Sequence, residues 1–430
     1  MKSIYVKTFG CSANVAESEM MAGMLNEAGN RIVNNENESD VILVNVCTVK
    51  GENKALNELR KLHVANPGKK IVVGGCVTRS MLPKIGQLMP EASIINTDNI
   101  KGIVDVVASG QVLQILDRKD EIKIRLPKIR TNKIVSIIPI SQGCTSFCTY
   151  CSTKLVKGNI FSYPLEKILL EAKESIAEGC KEIWLTSQDN GDYGFEWDKK
   201  SHLPELMRRI SDIKGDFMIR VGMTNPIGVM GVADELVDAF AHEKVYKFVH
   251  IPVQAGSNEI LRRMARRYTA DDFKLLVSKF RTAIPEMTIA TDIICGFPGE
   301  TRKQFQETLD LLQETRPDVV NISRFVARDG TAAFRMGDQI QGNEKKDRTT
   351  ELAGLFWRIA QENNKKWVGW RGNVLIDEIG KHGEIIGRNY AYKPVIIKQH
   401  NGQKIGDEVN VHIVDATKFD LRAEIVDKAQ

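Results

Sequence analysis

Residues 141–151 read SQGCTSFCTYC and place Cys144, Cys148 and Cys151 on one short loop with the spacing C-x3-C-x2-C. Three thiolates on such a loop can bind three irons of a [4Fe–4S] cluster and leave the fourth iron open to another ligand. A zinc site would need a fourth Cys or His nearby, and none follows closely. Because close groups of cysteines in cytosolic proteins usually bind metal, the loop favours an iron–sulfur cluster over zinc or inert thiols.

The loop follows the first of six strand–helix units that are predicted in residues 134–366. The strands are predicted at residues 134–141, 182–187, 217–222, 247–253, 287–294 and 318–325, and a closing helix at 343–367. Six units suit an incomplete (β/α)6 barrel, in which the chemistry lies at the carboxyl ends of the strands. The cysteine loop would lie at that end of the first strand.

Residues 1–115 predict a separate α/β domain. Apolar runs at 3–9, 41–46, 71–73 and 92–95 alternate with helical patterns, which indicates a parallel sheet covered by helices. Cys11, Cys47 and Cys76 each follow one of the first three runs. Ligands of open parallel sheets bind beyond the carboxyl ends of the strands, so we expect these three cysteines to meet there.

Length and composition exclude several classes of protein. The 430 residues suggest two or three domains. The 8 cysteines are too few for a disulfide-rich secreted module. The chain opens without a basic-then-apolar leader and has no apolar stretch of about 18 residues, so we expect a cytoplasmic protein that is not bound to a membrane.

The net charge of +5 is unevenly distributed. Residues 118–133 hold seven basic and two acidic residues, so 7 − 2 = +5 accounts for the whole excess. We interpret residues 116–133 as a basic linker, or a pair of edge strands, that faces RNA; a solvated linker is the alternative. The candidate RNA-binding residues of this run are Arg118, Lys123, Arg125, Lys128 and Arg130. A second basic group comprises Arg262, Arg263, Arg266 and Arg267.

Residues 367–430 predict a small antiparallel β-barrel, because glycines separate short β-branched runs. Nine basic and nine acidic residues give this domain no net charge. It could still bind RNA through a local face of Arg388, Tyr390, Tyr392 and Lys393, which combines stacking with phosphate contacts. An ordinary half-exposed hairpin is the alternative.

The cysteine loop, with Tyr150 before its last cysteine, resembles the signature of the radical S-adenosylmethionine (SAM) enzymes. The order of the three domains is similar to that of the methylthiotransferases, whose C-terminal barrel is a TRAM domain. The resemblance implies that the open iron of the Cys144/Cys148/Cys151 cluster binds SAM and cleaves it to a 5′-deoxyadenosyl radical. It also implies a second [4Fe–4S] cluster, with an open iron that carries sulfur, on Cys11, Cys47 and Cys76.

Longer phrases resemble the archaeal and eukaryotic branch that acts on N6-threonylcarbamoyladenosine. They are NVCTVKG, EIWLTSQDNGDYG, FMIRVGMTNP, KFVHIPVQAGS, TDIICGFPGET and NISRFVARDGT. The implied reaction is methylthiolation at C2 of that base at position 37 of tRNA. It requires an external electron donor and a sulfur source. We expect the protein to be a monomer. The rivals are the same chemistry on N6-isopentenyladenosine and, in another class, a non-catalytic RNA-binding protein with structural metal sites.

The resemblance also implies which residues contact SAM, namely Tyr150, Gln188, Asp189, Arg220, Gln254, Ser257, Asp292 and Gly296. A strand-end Arg or Asp can equally cap a helix or pair with a neighbour. The chain departs from the family pattern at Ala255, Ala265 and Cys295, and after Lys50, where a proline–threonine pair is missing. Cys180 and Cys295 are interpreted as core thiols.

Overall fold

A computed structural model of the chain describes residues 1–47, 51–398 and 402–426. Residues 48–50, which include the last part of the NVCTVKG phrase and Lys50, lie outside the described residues, as do 399–401 and 427–430. In the described part, no helix has the length and apolar character needed to cross a membrane.

The N-terminal domain contains one six-stranded parallel sheet in the order β2-β1-β3-β4-β5-β6. Its elements, in chain order, are β1 (Ser3–Thr8), α1 (Ser12–Glu27), β2 (Arg31–Val33), β3 (Val41–Val46), α2 (Glu52–Ala65), β4 (Lys70–Gly75), α3 (Met81–Leu88), β5 (Ser93–Asn96), α4 (Ile103–Ala108) and β6 (Gln114–Ile115). The run that predicts β3, VILVNV, is buried at all six positions, as a central strand requires. The four predicted strands are confirmed, and the short edge strands β2 and β6 were missed.

The central domain contains six parallel strands flanked by helices. Its elements are β7 (Val135–Pro139), β8 (Ser141–Gln142), α5 (Ser152–Lys157), β9 (Phe161–Ser162), α6 (Leu165–Ala177), β10 (Glu182–Thr186), α7 (Phe195–Asp198), α8 (Leu203–Ser211), β11 (Met218–Val221), α9 (Pro226–Val229), α10 (Ala233–Ala241), β12 (Phe248–His250), α11 (Asn258–Arg263), α12 (Ala270–Ala283), β13 (Thr288–Cys295), α13 (Arg302–Thr315), β14 (Val319–Arg324) and α14 (Gly342–Lys365).

Six of these eight strands form two three-stranded parallel sheets, β11-β10-β7 and β12-β13-β14; β8 and β9 lie outside these two sheets. A parallel bridge between Ile219 and Val245 joins β11 to the segment that enters β12. The strand order therefore runs continuously from β7 to β14, which confirms the incomplete (β/α)6 barrel. A capping box of Thr301 and Gln304 begins α13.

The C-terminal domain is a closed five-stranded barrel in the order β15-β16-β17-β19-β18. Its strands are β15 (Arg371–Ile379), β16 (Ile385–Arg388), β17 (Pro394–Ile397), β18 (Glu408–Ala416) and β19 (Leu421–Ile425). Closure removes exposed strand edges, so a domain this small can stand without a covering layer. The predicted small barrel is confirmed; only the β17–β19 pair is parallel.

Helix α1 joins the N-terminal domain to the barrel. Met20 and Met21 of α1 belong to the same apolar cluster as Val135 and Ile137 of β7. Residues 127–128 cross α1 at Gly23, where a Cβ atom would lie 2.2 Å from a backbone oxygen. The segment predicted as a linker is therefore packed between the two domains.

Ala265 gives a stability prediction. Its φ of 57° lies in the left-handed region, just after α11, where Asn is favoured and Ala is strained by about 1 kcal/mol. We expect Ala265→Asn to raise the thermal unfolding midpoint of the central domain. Ala108→Asn, at the exposed end of α4 and without a positive φ, should give no such gain. Equal effects of the two substitutions would contradict the strain argument.

Candidate active site

The loop with Cys144, Cys148 and Cys151 is fixed to the carboxyl ends of the barrel strands. Gly143, with φ of 74°, lets the chain pass so close to Asn159 that a Cβ atom would lie 1.9 Å from its backbone oxygen. Further along the loop, the Thr145 amide donates to Asp192 Oδ2 at 2.7 Å. The Thr149 amide donates to the Met264 carbonyl at 3.1 Å. The three thiols thus lie on a loop tied to several barrel segments.

Arg266 is buried beside this loop and donates to Cys148 Sγ at 3.1 Å. The same guanidinium donates to the Pro252 carbonyl at 3.0 Å, which fixes its direction. On sequence alone Arg266 is one member of a basic group of four, whereas in the structure its side chain is buried. No sequence signal separates Arg266 from its exposed neighbour Arg267, because the difference arises from contacts with distant segments.

Burial raises the pKa of two of the loop thiols, Cys144 and Cys151. It raises the pKa of Cys144 to about 12, helped by the negative charge of Asp189, and it also raises the pKa of Cys151. Thiols in this state are protonated at neutral pH, whereas metal ligation requires thiolates. Metal binding at this loop must therefore displace protons.

The three N-terminal cysteines follow three neighbouring strands of the first sheet, as predicted. Gly10, with φ of 140°, lets Cys11 and Cys47 approach, since a Cβ atom on Gly10 would lie 2.7 Å from the Cys47 Cβ. A hydrogen bond from the Cys47 thiol is the main cause that lowers the pKa of Cys11 to about 6. The Cys76 amide donates to the Val46 carbonyl at 3.0 Å, next to Cys47.

Two buried asparagines that sequence analysis missed support this group of cysteines. Asn14 donates to Asn45 Oδ1 at 3.0 Å and to the Val46 carbonyl at 3.1 Å. Asn14 Oδ1 in turn accepts from Cys11 Sγ at 3.4 Å. The asparagine in the apolar run of β3 was a usable signal, because a buried polar side chain needs partners.

The carboxyl end of β10 and the residues after it bond next to both cysteine sets. Ser12, next to Cys11, is within 2.7 Å of Thr186 Oγ1 at the carboxyl end of β10. Two residues further, Gln188 Oε1 accepts from the Gly143 amide at 2.7 Å, directly before Cys144. Residues 186–188 therefore link the segment that carries Cys11 to the segment that carries Cys144 across the domain boundary.

Several residues predicted to contact SAM lie around the same barrel end. Asp292 accepts from His250 Nε2 at 2.9 Å and from Asn321 at 2.7 Å; although burial opposes it, these contacts hold the pKa of Asp292 below its usual value. Gln254 has a strained φ of 74°, which is common at functional sites. The Gly296 amide donates to Glu300 Oε2 at 2.8 Å.

The other residues predicted to contact SAM have contacts within the protein. Asp189 is buried and caps a short 3-10 helix, and burial together with Asp192 raises its pKa well above the usual range. Ser257 and Tyr150 pack within the barrel. The Arg220 guanidinium lies 4.9 Å from the Trp184 ring, and the rings of Phe248 and Tyr392 also surround it. This structure thus gives Asp189 the capping role and Arg220 an aromatic enclosure.

Two of the departures from the family pattern, Ala255 and Cys295, fit their surroundings. Ala255 is buried in the apolar core, where a hydroxyl would need a partner. Cys180 and Cys295 are buried as expected, and burial raises the pKa of both thiols.

The hypothesis of an RNA-facing basic linker is wrong for its central residues. Lys123 is only 3% exposed, and its ammonium donates to the Thr97 carbonyl at 2.8 Å. Lys128 is paired with Glu171 of α6. Arg125 and Arg130 are likewise paired, with Glu174 and Glu178. Of the five predicted residues only Arg118 is exposed without an acidic partner among the described ion pairs; it donates to the Val156 carbonyl at 2.9 Å.

The predicted RNA-binding face of the C-terminal barrel is wrong for Lys393 and Tyr392, which pack on the central barrel. Lys393 is buried and donates to Asp318 Oδ1 at 2.8 Å. Arg388 donates to Asp377 Oδ2 at 2.9 Å. Tyr392 lies among barrel aromatic rings, and Tyr390 packs on Trp367. Lys393 and Tyr392 therefore stabilise a domain contact, whereas Arg388 and Tyr390 have partners within the C-terminal barrel itself.

Comparison with known families agrees with the three-domain architecture. Residues 138–312 match the radical SAM superfamily, residues 365–426 match the TRAM domain, and residues 3–96 match an uncharacterized family designated UPF0004. A probable threonylcarbamoyladenosine tRNA methylthiotransferase of Methanothermobacter thermautotrophicus is 38% identical, over 98% of this chain and 99% of that protein. The chain belongs to the threonylcarbamoyladenosine tRNA methylthiotransferase family. The predicted resemblance is thereby confirmed.

The family extends to eukaryotes. The threonylcarbamoyladenosine tRNA methylthiotransferases of Drosophila melanogaster and Homo sapiens are 39% and 37% identical and cover 99% and 100% of this methylthiotransferase, which spans 78% and 75% of their lengths. A solved radical SAM methyltransferase, TsrM from Kitasatospora setae, shares the fold with a TM-score of 0.53 at 14% identity, over 75% of this chain and 74% of that chain.

Proposed function

We propose that this radical SAM methylthiotransferase converts N6-threonylcarbamoyladenosine at position 37 of tRNA into its 2-methylthio derivative. One observation carries the proposal: residues 186–188, at the carboxyl end of β10, bond both to Ser12, next to Cys11, and to Gly143, next to Cys144. Full-length similarity to proteins named for this reaction supports the choice of base. An external electron donor and a sulfur source complete the proposed reaction.

We infer that the cysteines of both sets are ligands of iron–sulfur clusters. Cys144, Cys148 and Cys151 are free thiols, which suits ligands in a reducing cytoplasm. Cys144, Cys148 and Cys151 would hold one [4Fe–4S] cluster, and Cys11, Cys47 and Cys76 a second. When bound, the first supplies the electron for SAM cleavage and the second carries the sulfur. The protein itself holds the two loops together, and Arg266 directs an N–H bond at the Cys148 sulfur.

Arg266 allows a redox prediction. A guanidinium at a ligand sulfur stabilises the more negative, reduced cluster, so Arg266→Gln is expected to lower the midpoint potential. Loss of a charge-assisted hydrogen bond of about 1.5–3 kcal/mol corresponds to about 60–130 mV for one electron. Redox titration followed by electron paramagnetic resonance (EPR) measures the shift. Arg267→Gln, at the exposed neighbour, is the control, and equal shifts would contradict a specific role for Arg266.

The rim of the cysteine loop is the surface that we propose for tRNA. Phe147 is 70% exposed, and the Lys154 ammonium lies 4.2 Å from its ring centre. Phe334, 48% exposed, lies on a segment that contacts the loop, since the Ala333 amide donates to the Thr149 carbonyl at 2.8 Å. Exposed aromatic rings beside cations suit stacking on unpaired bases and contact with phosphates.

Phe147→Ala is therefore expected to weaken tRNA binding. Loss of one base–aromatic stack costs about 1–3 kcal/mol, or roughly 5- to 150-fold in Kd. Phe419→Ala is the matched comparison, because Phe419 of the C-terminal barrel is similarly exposed and has Lys418 near its ring. Filter binding at fixed salt measures both, and a loss confined to Phe419→Ala would move the RNA surface to the C-terminal barrel.

The choice of base is tested with paired substrates. Reconstituted protein, SAM and a reductant are incubated with tRNA that carries either N6-threonylcarbamoyladenosine or N6-isopentenyladenosine, and nucleosides are analysed by mass spectrometry. We expect the methylthio mass increase only on the threonylcarbamoyl base. An increase only on the isopentenyl base would replace our proposal with its nearest rival, and absence of SAM cleavage would favour a non-catalytic RNA-binding protein.

A further inference from the structure

Two helices connect the two cysteine sets to one buried ion pair. Helix α1 begins directly after Cys11, and α5 begins directly after Cys151. Glu17 lies six residues after Cys11, and Lys157 six residues after Cys151. The Lys157 ammonium donates to Glu17 Oε1 at 2.6 Å. Each cysteine set is thus joined by about one and a half helical turns to the same contact.

The pair is fully enclosed by the domain boundary. Glu17 is 5% and Lys157 4% exposed. Thr97 of the N-terminal domain bonds to both side chains, and Lys123 from the segment between the domains lies 4.0 Å from Glu17 Oε1. Lys123 in turn donates to Gln142, two residues before Cys144. The network therefore contacts the approaches to both sets of cysteines.

The charges of this pair persist across the neutral range. Burial alone would lower the pKa of Lys157, but the Glu17 carboxylate raises it overall. Burial likewise opposes the ionisation of Glu17, and Lys157 and Lys123 hold its pKa below the usual value.

Stability alone does not explain a buried ion pair here. Desolvation offsets much of the attraction, so apolar side chains of similar size often serve stability equally well. The domains are already joined by apolar contacts between α1 and β7, including Met20 against Val135 and Ile137. The ion pair adds a geometric constraint, because its hydrogen bonds restrict both the distance and the angle between α1 and α5.

We propose that Glu17 and Lys157 are positioning residues that set the distance between the two cysteine sets. The inference rests on the proposed function, in which a sulfur-containing group on one set must reach the substrate activated at the other. Displacement of reacting groups by about 1 Å can lower a rate by about 100-fold. The pair acts on the transfer step, whereas SAM cleavage needs only the Cys144/Cys148/Cys151 loop.

The test compares Lys157→Met with the charge-conserving Lys157→Arg. For Lys157→Met we expect 5′-deoxyadenosine formation to stay near wild type, while methylthiolated tRNA per 5′-deoxyadenosine falls by about tenfold to 100-fold. Lys157→Arg should restore most of that ratio, because a guanidinium can still bind Glu17. Pulsed EPR should show a changed spin–spin interaction between the reduced clusters of Lys157→Met only.

A matched control breaks another buried pair. Lys128 and Glu171 have side-chain exposures of 8% and 7%, against 4% and 7% for Lys157 and Glu17, but they do not join the two cysteine-bearing helices. Lys128→Met should leave the ratio of product to 5′-deoxyadenosine unchanged. An equal fall in this control, or an unchanged ratio in folded Lys157→Met, would overturn the inference.

Two further outcomes are informative. If Lys157→Met unfolds or loses iron, Glu17→Gln gives the second reading of the ratio, and an unchanged ratio there would also overturn the inference. Wild-type protein that binds only one cluster would instead overturn the proposed function. Iron analysis of each variant before the assay separates these results.

Discussion

Replacing Cys148 with Ala is expected to reduce 5′-deoxyadenosine formation to background while tRNA binding stays at the wild-type level. Cys148 lies on the barrel loop, and its sulfur accepts the Arg266 hydrogen bond. This sulfur is a proposed ligand of the SAM-binding cluster. With two of three thiolates left, the loop no longer matches the ligand set of that cluster. Chromatography of the SAM products and filter binding of tRNA measure the two results separately.

Cys180→Ala is the matched control for this prediction. Cys180 is also a free thiol of the central domain, but it is buried and its sulfur contacts only the Lys133 carbonyl among the described hydrogen bonds. SAM cleavage should survive this change. If SAM cleavage survived Cys148→Ala as well, the assignment of the barrel loop as the cluster site would be wrong.

Replacing Cys47 with Ala should separate SAM cleavage from product formation. Cys47 lies against Gly10 and Cys11 in the N-terminal set. Loss of one of three ligands is expected to remove the second cluster, which lowers bound iron by about half. Reductive SAM cleavage at the barrel loop should continue, whereas methylthiolated tRNA should be absent.

The two activities are measured in the same reaction, by chromatography of 5′-deoxyadenosine and mass spectrometry of nucleosides. Full methylthiolation by Cys47→Ala would show that the N-terminal cysteines do not carry the sulfur. Loss of both activities together with a changed fold would be resolved by Cys76→Ala, which removes a different member of the set.

The strands and the cysteine sets could be predicted from sequence because their signals are local. The barrel loop carries its three cysteines within eight residues. The N-terminal cysteines are further apart in sequence, but parallel strands bring their carboxyl ends to one edge. In the structure β1, β3 and β4 are indeed neighbours. The rule that parallel strands end at one edge of a sheet therefore predicted that these distant cysteines lie at the same edge.

The charged residues could not be interpreted in the same way. The cations of residues 118–133 looked like an RNA-binding surface, but three of them, Arg125, Lys128 and Arg130, have acidic partners more than 40 residues later in the chain, at Glu174, Glu171 and Glu178. A net charge counts such cations as free because it contains no information on pairing. The same reason hid the Glu17–Lys157 pair, whose members are 140 residues apart.

The aromatic residues of the C-terminal barrel show a related limit. Tyr392 was interpreted as part of an RNA-stacking face, but it lies against Arg220 and three barrel rings. Stacking on a base and packing at a domain boundary favour the same residue type. Only the position of one domain on the other distinguishes them.

The proposed reaction depends most directly on the presence of two clusters at the two cysteine sets. Mössbauer spectroscopy of protein reconstituted with 57Fe, together with iron and sulfide analysis, tests it in the wild type and in two triple Cys→Ala variants, one for each set. We predict two [4Fe–4S] clusters in the wild type and one in each variant. A single cluster in the wild type, lost only when Cys144, Cys148 and Cys151 are replaced, would contradict the account.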